Sequence, residues 1–311
     1  LPQCCTCAKP LHIAQTITGI VMTAQLLSSP IAPLTQAQKS QILELVPRAA
    51  QTEIMPRFRK LDHTDIDIKK DETDLVTEAD RAAEAMIMQG LQSAFPQALV
   101  LGEEAISAKP TLRDGLPDAE LSFIIDPVDG TWNFAHGMPL FATIIAVCSY
   151  GEPVFGLIYD PIGDDAILAD NASKALWHMV TDQQKAIHTA DAKPLDRLFG
   201  YMPIRLFPPA DKIVAYSKLH MLGYVGSLRC SAHEYRMLAT GGIDFILAGG
   251  PLNAWDHAAG ALICAQAGGK SAMLDGSAYN AAITEGYLLC AGSEQTWNTI
   301  ADHFTDLLVN A

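Results

Sequence analysis

Asp126 and Asp129 stand three residues apart in Ile124-Ile125-Asp126-Pro127-Val128-Asp129-Gly130-Thr131-Trp132-Asn133-Phe134. The apolar run 121–125 reads as a buried strand, and the Pro, Gly and hydroxyl residues after it read as a turn. Two side chains three apart in mid-strand face opposite sides of a sheet, but where a strand gives out they can converge. Converging carboxylates, with the Val128 carbonyl between them, suit a hard divalent cation. Gly130 and Thr131 follow directly, and backbone N–H groups at such a glycine can receive an anion. Metal ligands beside a phosphate cradle point to phosphoryl chemistry. Taken alone, Asp-Pro and Asp-Gly are ordinary turn formers, so this reading depends on the rest of the chain.

The capping and apolar patterns set out the elements that must position these groups. Thr35-Gln36-Ala37-Gln38 is a capping box ahead of a helix with Ile42, Leu45, Val46, Ala49 and Ala50 on one face and Pro47 as a kink. Residues 60–74 are polar and read as an exposed loop or hairpin. Thr77-Glu78-Ala79-Asp80 caps a second helix, with Ala82, Ala83, Met86, Ile87 and Leu91 inward. Residues 98–101 form a short strand that stops at Gly102-Glu103-Glu104. If it lies beside 121–125, Glu103 ends next to Asp126 as a third carboxylate. Two hairpins follow, 141–149 with 153–159 and 166–169 with 175–177, giving this half an antiparallel α+β character.

The polar segment 181–194 lacks periodicity and is the expected boundary between an α+β domain (34–180) and an α/β domain (181–311). Beyond it, Ser231-Ala232-His233-Glu234 reads as a capping box whose helix ends at Gly241-Gly242. A strand over 244–248 leads to Trp255-Asp256, which opens an Ala-rich helix running to Gln266. An acid in a first helical turn is favoured by the dipole, so Asp256 by itself reads as a cap. Strands over 270–274 and 287–291 and an amphipathic helix over 294–309 close the chain.

The 311 residues, 49% hydrophobic, suffice for one large or two modest cores. A net charge of -14 argues against a nucleic-acid or membrane surface as partner. Of seven cysteines, Cys148, Cys230, Cys264 and Cys290 are scattered through apolar segments, as expected of reduced, buried thiols in a cytoplasmic protein. Cys4 and Cys7 have C-x-x-C spacing without the further ligands a closed zinc site needs. Residues 1–33 read as an extension, disordered or preceding a natural start at Met22. The apolar run 11–27, interrupted by His12, Gln15 and Gln25, is too polar and short to span a membrane.

Several separated stretches converge on one resemblance. The run 126–134 resembles the first signature of the inositol monophosphatase family, within the magnesium-dependent, lithium-sensitive phosphatases, and Trp255-Asp256-His257-Ala258-Ala259-Gly260 through Ala267-Gly268-Gly269 resembles the second. Asp74-Leu75-Val76-Thr77-Glu78-Ala79-Asp80 and Gly102-Glu103-Glu104 are similar to two further family motifs, in the family's order. The resemblance implies a layered αβαβα sandwich of mixed α+β and α/β character, a homodimer, and magnesium-dependent hydrolysis of a small phosphate monoester. It implies that Glu103, Asp126 and the Val128 carbonyl hold one Mg2+ and that Asp126, Asp129 and Asp256 hold a second. A weaker third ion lies near Glu103. Thr131 would orient the attacking water, Asp80 would hydrogen-bond the Thr131 hydroxyl, and the N–H groups of Gly130 and Thr131 would hold the phosphate, with Asp129 and Asp256 also at the substrate. Lys69 falls where the family often places a lysine near its catalytic loop, with Lys70 as a competitor.

Two departures concern the substrate. Inositol-selective members commonly carry a glutamate seven residues before the second-signature aspartate, where this chain has Gly249, and the small residue after their Ser-Val or Ser-Leu pair is Arg229 here. A pocket that loses an acceptor and gains a cation suits a phosphate with a second negative group, although arginine is also common at interfaces. The expected substrate is inositol monophosphate or a related polyol phosphate. Histidinol phosphate or a nucleotide 3'-phosphate is the alternative, and a non-enzymatic scaffold is a third reading disfavoured by the complete ligand set. No G-x-x-x-x-G-K-[ST] is present, which disfavours a P-loop enzyme.

Overall fold

The computed structural model describes residues 34–69, 71–72, 74–179 and 183–309. The readings of residues 1–33, including Cys4, Cys7 and Met22, and of Lys70 lie outside the described residues. In chain order the helices are α1 (Gln36–Ala49), α2 (Glu78–Ala94), α3 (Glu103–Ala108), α4 (Thr131–Ala135), α5 (Pro209–Lys218), α6 (Ser231–Ala239), α7 (Ala254–Gln266) and α8 (Glu294–His303). The strands are β1 (Ile66–Ile68), β2 (Leu75–Thr77), β3 (Leu99–Gly102), β4 (Ser122–Asp129), β5 (Ala142–Ser149), β6 (Glu152–Asp160), β7 (Asp165–Asp170), β8 (Leu176–Met179), β9 (Gln184–Ala186), β10 (Phe199–Tyr201), β11 (Tyr224–Gly226), β12 (Phe245–Gly249), β13 (Lys270–Met273) and β14 (Tyr287–Ala291).

Strands β3 to β9 form a seven-stranded sheet in chain order, with β3 parallel to β4 and every other pair antiparallel. A second sheet has the order β11-β10-β12-β14-β13, and β1 with β2 is a separate hairpin. Alternation along each strand decides what covers it. On β4, Phe123 and Ile125 point to the helices α1 and α2, whereas Ile124 points to the opposite core, which holds α6 and α7. On β12, Ile246 and Ala248 face that same central core, and Phe245 and Leu247 face the core lined by α5 and α8. The result is five layers, αβαβα, with both faces of each sheet covered. Each fully buried Ile or Phe stabilises by about 2–3 kcal/mol, and a one-residue slip would turn each to the other layer.

Three local differences from the sequence reading have physical causes. Helix α1 continues through Pro47 and is followed by a π turn, Ala50–Ile54. Strand β9 lies inside the polar segment 181–194, as an exposed edge strand whose side chains need no apolar pattern. The last helix stops at His303, and the 3-10 turn Thr305–Leu308 follows, with Phe304 and Leu307 fully buried. No helix among the described residues is long and apolar enough to cross a membrane.

Candidate active site

Asp126 and Asp129 converge by a route the sequence did not indicate. The expected strand end at residue 125 is not there: β4 runs on to Asp129, fully buried. Between the two acids the pairing with β5 shifts, so that Asp126 opposes Ile144 and Asp129 opposes Ala142. Three steps on one strand thus match two on the other, which is a β-bulge, and the extra residue brings both carboxylates to one side. Pro127, with no N–H to give a ladder, suits a bulge. Its carbonyl accepts from Thr143 Oγ1 at 2.8 Å, and Val128 N–H donates to Asp126 Oδ1 at 3.1 Å.

Asp256 arrives from the central helix layer, in the first turn of α7, where Asn253 Nδ2 donates to its Oδ2 at 3.1 Å. One oxygen from each of Asp126, Asp129 and Asp256 lies within 4.8 Å of the others. Burial first pushes Asp126 and Asp256 well above the ordinary carboxylate range, followed by the charges of Glu103 and Asp129 on Asp126 and of Asp129 and Glu103 on Asp256. Burial also raises Asp129, to about 6, against the pull of donors from Ala232 N–H and the Cys230 thiol. Three oxygen donors with unrelieved mutual repulsion, Asp126 and Asp129 buried and Asp256 half-buried, fit a hard divalent cation, whose charge would remove that repulsion.

Strand β3 does lie beside β4, with Gly102 opposite Ile125, and Glu103 follows as the first residue of α3. Its charge is the largest electrostatic influence on Asp126. Glu103 stands outside the close trio of oxygens and is bridged by Lys69 Nζ, 2.8 Å from Glu103 Oε1 and 2.6 Å from Glu104 Oε1. Burial works to lower the Lys69 pKa, yet the two carboxylates override it and raise it. Glu84 fixes this corner: its carboxylate accepts from the N–H groups of Glu104 and Ala105 at 2.8 and 2.9 Å, capping α3.

Thr131 Oγ1 lies 3.0 Å from both Asp80 Oδ1 and Val128 O, so its one proton has two acceptors. Asp80 is itself held by the capping box of α2, accepting from Thr77 N–H and Thr77 Oγ1. Burial raises the Asp80 pKa to about 6, opposed by the Thr77 hydrogen bonds. Gly130 has φ 88, and a Cβ there would sit 2.7 Å from Leu140 O, so only glycine fits.

These groups open on a cleft whose lining includes Glu103, Asp129, Gly130, Thr131 and Asp256 together with Arg205, Arg229 and Gly249. The inositol monophosphatase family profile matches residues 35–307. The chain belongs to the inositol monophosphatase family. It is therefore a phosphatase, acting on small phosphate monoesters. The chain is 31% identical over 234 residues to a histidinol-phosphatase of Streptomyces coelicolor, covering 73% of this chain and 84% of that protein. It is 29% identical over 244 residues to the Nus factor SuhB of Pseudomonas aeruginosa, covering 76% and 86%. The solved IMPase structure from Thermotoga maritima superposes with a TM-score of 0.72 at 22% identity, covering 88% of this chain and 99% of that one.

Against the inositol monophosphatase pattern, the departure at Gly249 has a steric side. Gly249 pairs with Tyr287 across β12 and β14, and a Cβ at 249 would overlap the Tyr287 ring and come within 3.1 Å of Phe207. Tyr287 is held in place by its hydroxyl, which donates to Asp211 Oδ2 at 2.5 Å. Arg229 lies in the cleft with φ 54, its guanidinium 3.9 Å from the centroid of the Trp132 ring.

Ser231 is the first residue of α6 rather than its cap, and Glu234 does not close a capping box. Its Oε1 instead accepts from Ser227 Oγ at 2.9 Å and Leu228 N–H at 2.6 Å, holding the loop that carries Arg229. Sequence reading missed Glu84, Glu234, Trp132 and Arg205. Glu84 left a trace, since it lies four residues from Asp80 on the face of α2 that buries Ala83 and Ile87. Nothing near Arg205 marks it.

Proposed function

We propose that this protein is a magnesium-dependent hydrolase of a small polyol phosphate, inositol monophosphate or a close relative, acting through an activated water. The observation that carries this reading is the convergence of Asp126, Asp129 and Asp256 oxygens beside the Thr131–Asp80 pair at the cleft floor. Asp126, Asp129 and Asp256, with Glu103 and the Val128 carbonyl, would hold two Mg2+ ions and a weaker third near Glu103. When bound, such ions polarise phosphoryl oxygens and make water a nucleophile near neutral pH. Asp80 takes the Thr131 proton as a hydrogen bond, which leaves Thr131 Oγ1 lone pairs to accept from, and so orient, a water. The Gly130 and Thr131 N–H groups, at the start of α4, face the phosphate position. Lys69 steadies Glu103 from the β1–β2 side.

Histidinol phosphate is the runner-up, favoured by the missing acceptor at Gly249 and by the Streptomyces relative. The intact carboxylates speak against a purely non-enzymatic role. The four described cysteines, all buried and free, support a cytoplasmic setting, and a homodimer is the assembly we infer from the family resemblance. The test is phosphate release from a panel of inositol 1-phosphate, fructose 1,6-bisphosphate, histidinol phosphate and adenosine 3',5'-bisphosphate, with and without chelator. Release that requires added magnesium is expected. Chelator-insensitive release, or none from any member, would overturn the reading.

A further inference from the structure

We propose that Arg205 and Arg229 form a subsite for a second anionic group, so that among small polyol phosphates those carrying a further phosphate or carboxylate are bound more tightly than their less charged counterparts. This rests on the phosphatase reading and specifies its substrate class.

The acids lining the cleft are Asp74, Glu103, Asp129, Glu234 and Asp256, and the lysine or arginine residues lining it are Arg205 and Arg229. They come from separate pieces of chain, the 3-10 turn Ile204–Leu206 and the loop between β11 and α6. Arg229 is lowered by burial and, next, by the positive charge of Arg205, while Asp71 acts in the opposite direction. Two guanidinium groups lining one cleft are stabilised together by an anion placed between them.

Arg229 is also built to be where it is. Its backbone occupies the left-handed region that a glycine would take without strain, so an arginine there costs stability and needs a compensating role. Trp132, from the first-signature turn, stacks on the guanidinium and is itself stacked on His136 with ring centroids 4.0 Å apart. Asn133 Nδ2 donates to Leu140 O and Leu228 O, both at 2.9 Å, which ties the phosphate turn to the Arg229 loop. The spacing between the phosphate cradle and Arg229 is therefore fixed by packing.

The experiment compares matched esters. Glycerol 2-phosphate and 2-phosphoglycerate differ by a carboxylate in place of a hydroxymethyl group; fructose 6-phosphate and fructose 1,6-bisphosphate differ by a phosphate. For each, kcat and KM are measured with magnesium, and affinity is measured by calorimetry with calcium in its place. The full-length protein should favour the more anionic member of at least one pair by roughly tenfold, chiefly in KM and affinity. Which pair responds tells carboxylate from phosphate. Arg205→Gln and Arg229→Gly should each cut that preference severalfold, Arg205→Lys should restore part of it, and added salt should weaken it. Equal change for both members of each pair, or a wild-type preference for the less charged members, would overturn the subsite. Loss of turnover with every ester while the affinity preference persists would refute the phosphatase reading and leave the subsite standing.

Discussion

The acidic floor of the cleft hangs on one continuous piece of sheet, whereas its basic wall hangs on loops of the other sheet. Asp126 and Asp129 share β4, Glu103 follows the neighbouring β3, and only Asp256 crosses from the second half. Arg205 stands on a single 3-10 turn, and Arg229 on an irregular loop held by Glu234, Asn133 and Trp132. The floor is preorganised by a ladder of backbone hydrogen bonds and by cores on both sides. The wall is preorganised by a few side chains. Chemistry common to many substrates belongs on the rigid part, and discrimination among them can vary on the loops without disturbing it.

The sharpest way to break this contrast is at the floor. Asp126→Asn should lower kcat on the order of a thousandfold in a phosphate-release assay. In metal-free buffer the same variant should melt higher than the parent, because it removes one of the repelling buried charges. A near-normal rate would dissociate the floor from catalysis. Thr131→Ala should cost on the order of a hundredfold in kcat with little change in KM; full activity would mean that another group orients the water.

Glu234 tests the support of the wall. Burial raises its pKa to about 7, against hydrogen bonds from Leu228, Ser227 and Arg229. A carboxyl raised on folding binds more protons in the folded state. Its stabilising contribution is therefore present below the unfolded carboxyl range and lost as pH rises through about 7. Denaturant titrations of metal-free protein between pH 4.5 and 8 should show stability falling, with Glu234 supplying roughly 3 kcal/mol at most. Glu234→Gln should flatten that slope, and an unchanged slope would assign it to the floor carboxylates alone.

The smallest effect belongs to the wall itself. Arg229→Gly should stabilise the fold by about 1 kcal/mol, because glycine takes the left-handed backbone without strain. A loss of stability instead would mean that the Trp132 stack outweighs the strain.

Much of this was legible in the chain. Apolar runs gave β5, β6 and β14, because both faces of those strands meet packed cores, and a helical apolar pattern gave the inner face of α2. The capping boxes at Thr35 and Thr77 read correctly, being local hydrogen bonds between residues three apart. The Ser231 box failed, since the same two residue types can serve the preceding loop, and only the loop's need for an acceptor decides which. The acids of the floor were visible as residue types at motif spacings, as was the glycine beside them. Their convergence was not, because a bulge is a property of two paired strands and β5 is needed to define it.

What the sequence by itself determined is the set of donors and the order of elements that carry them, since composition, periodicity and capping are written within a few residues. Tertiary structure alone decided that Asp256 closes the trio from helix α7, that Tyr287 fills the space beside Gly249, and that Arg205 and Arg229 line one cleft. Those are encounters between residues tens of positions apart, fixed by how two sheets pack across α6 and α7, and no local pattern records them.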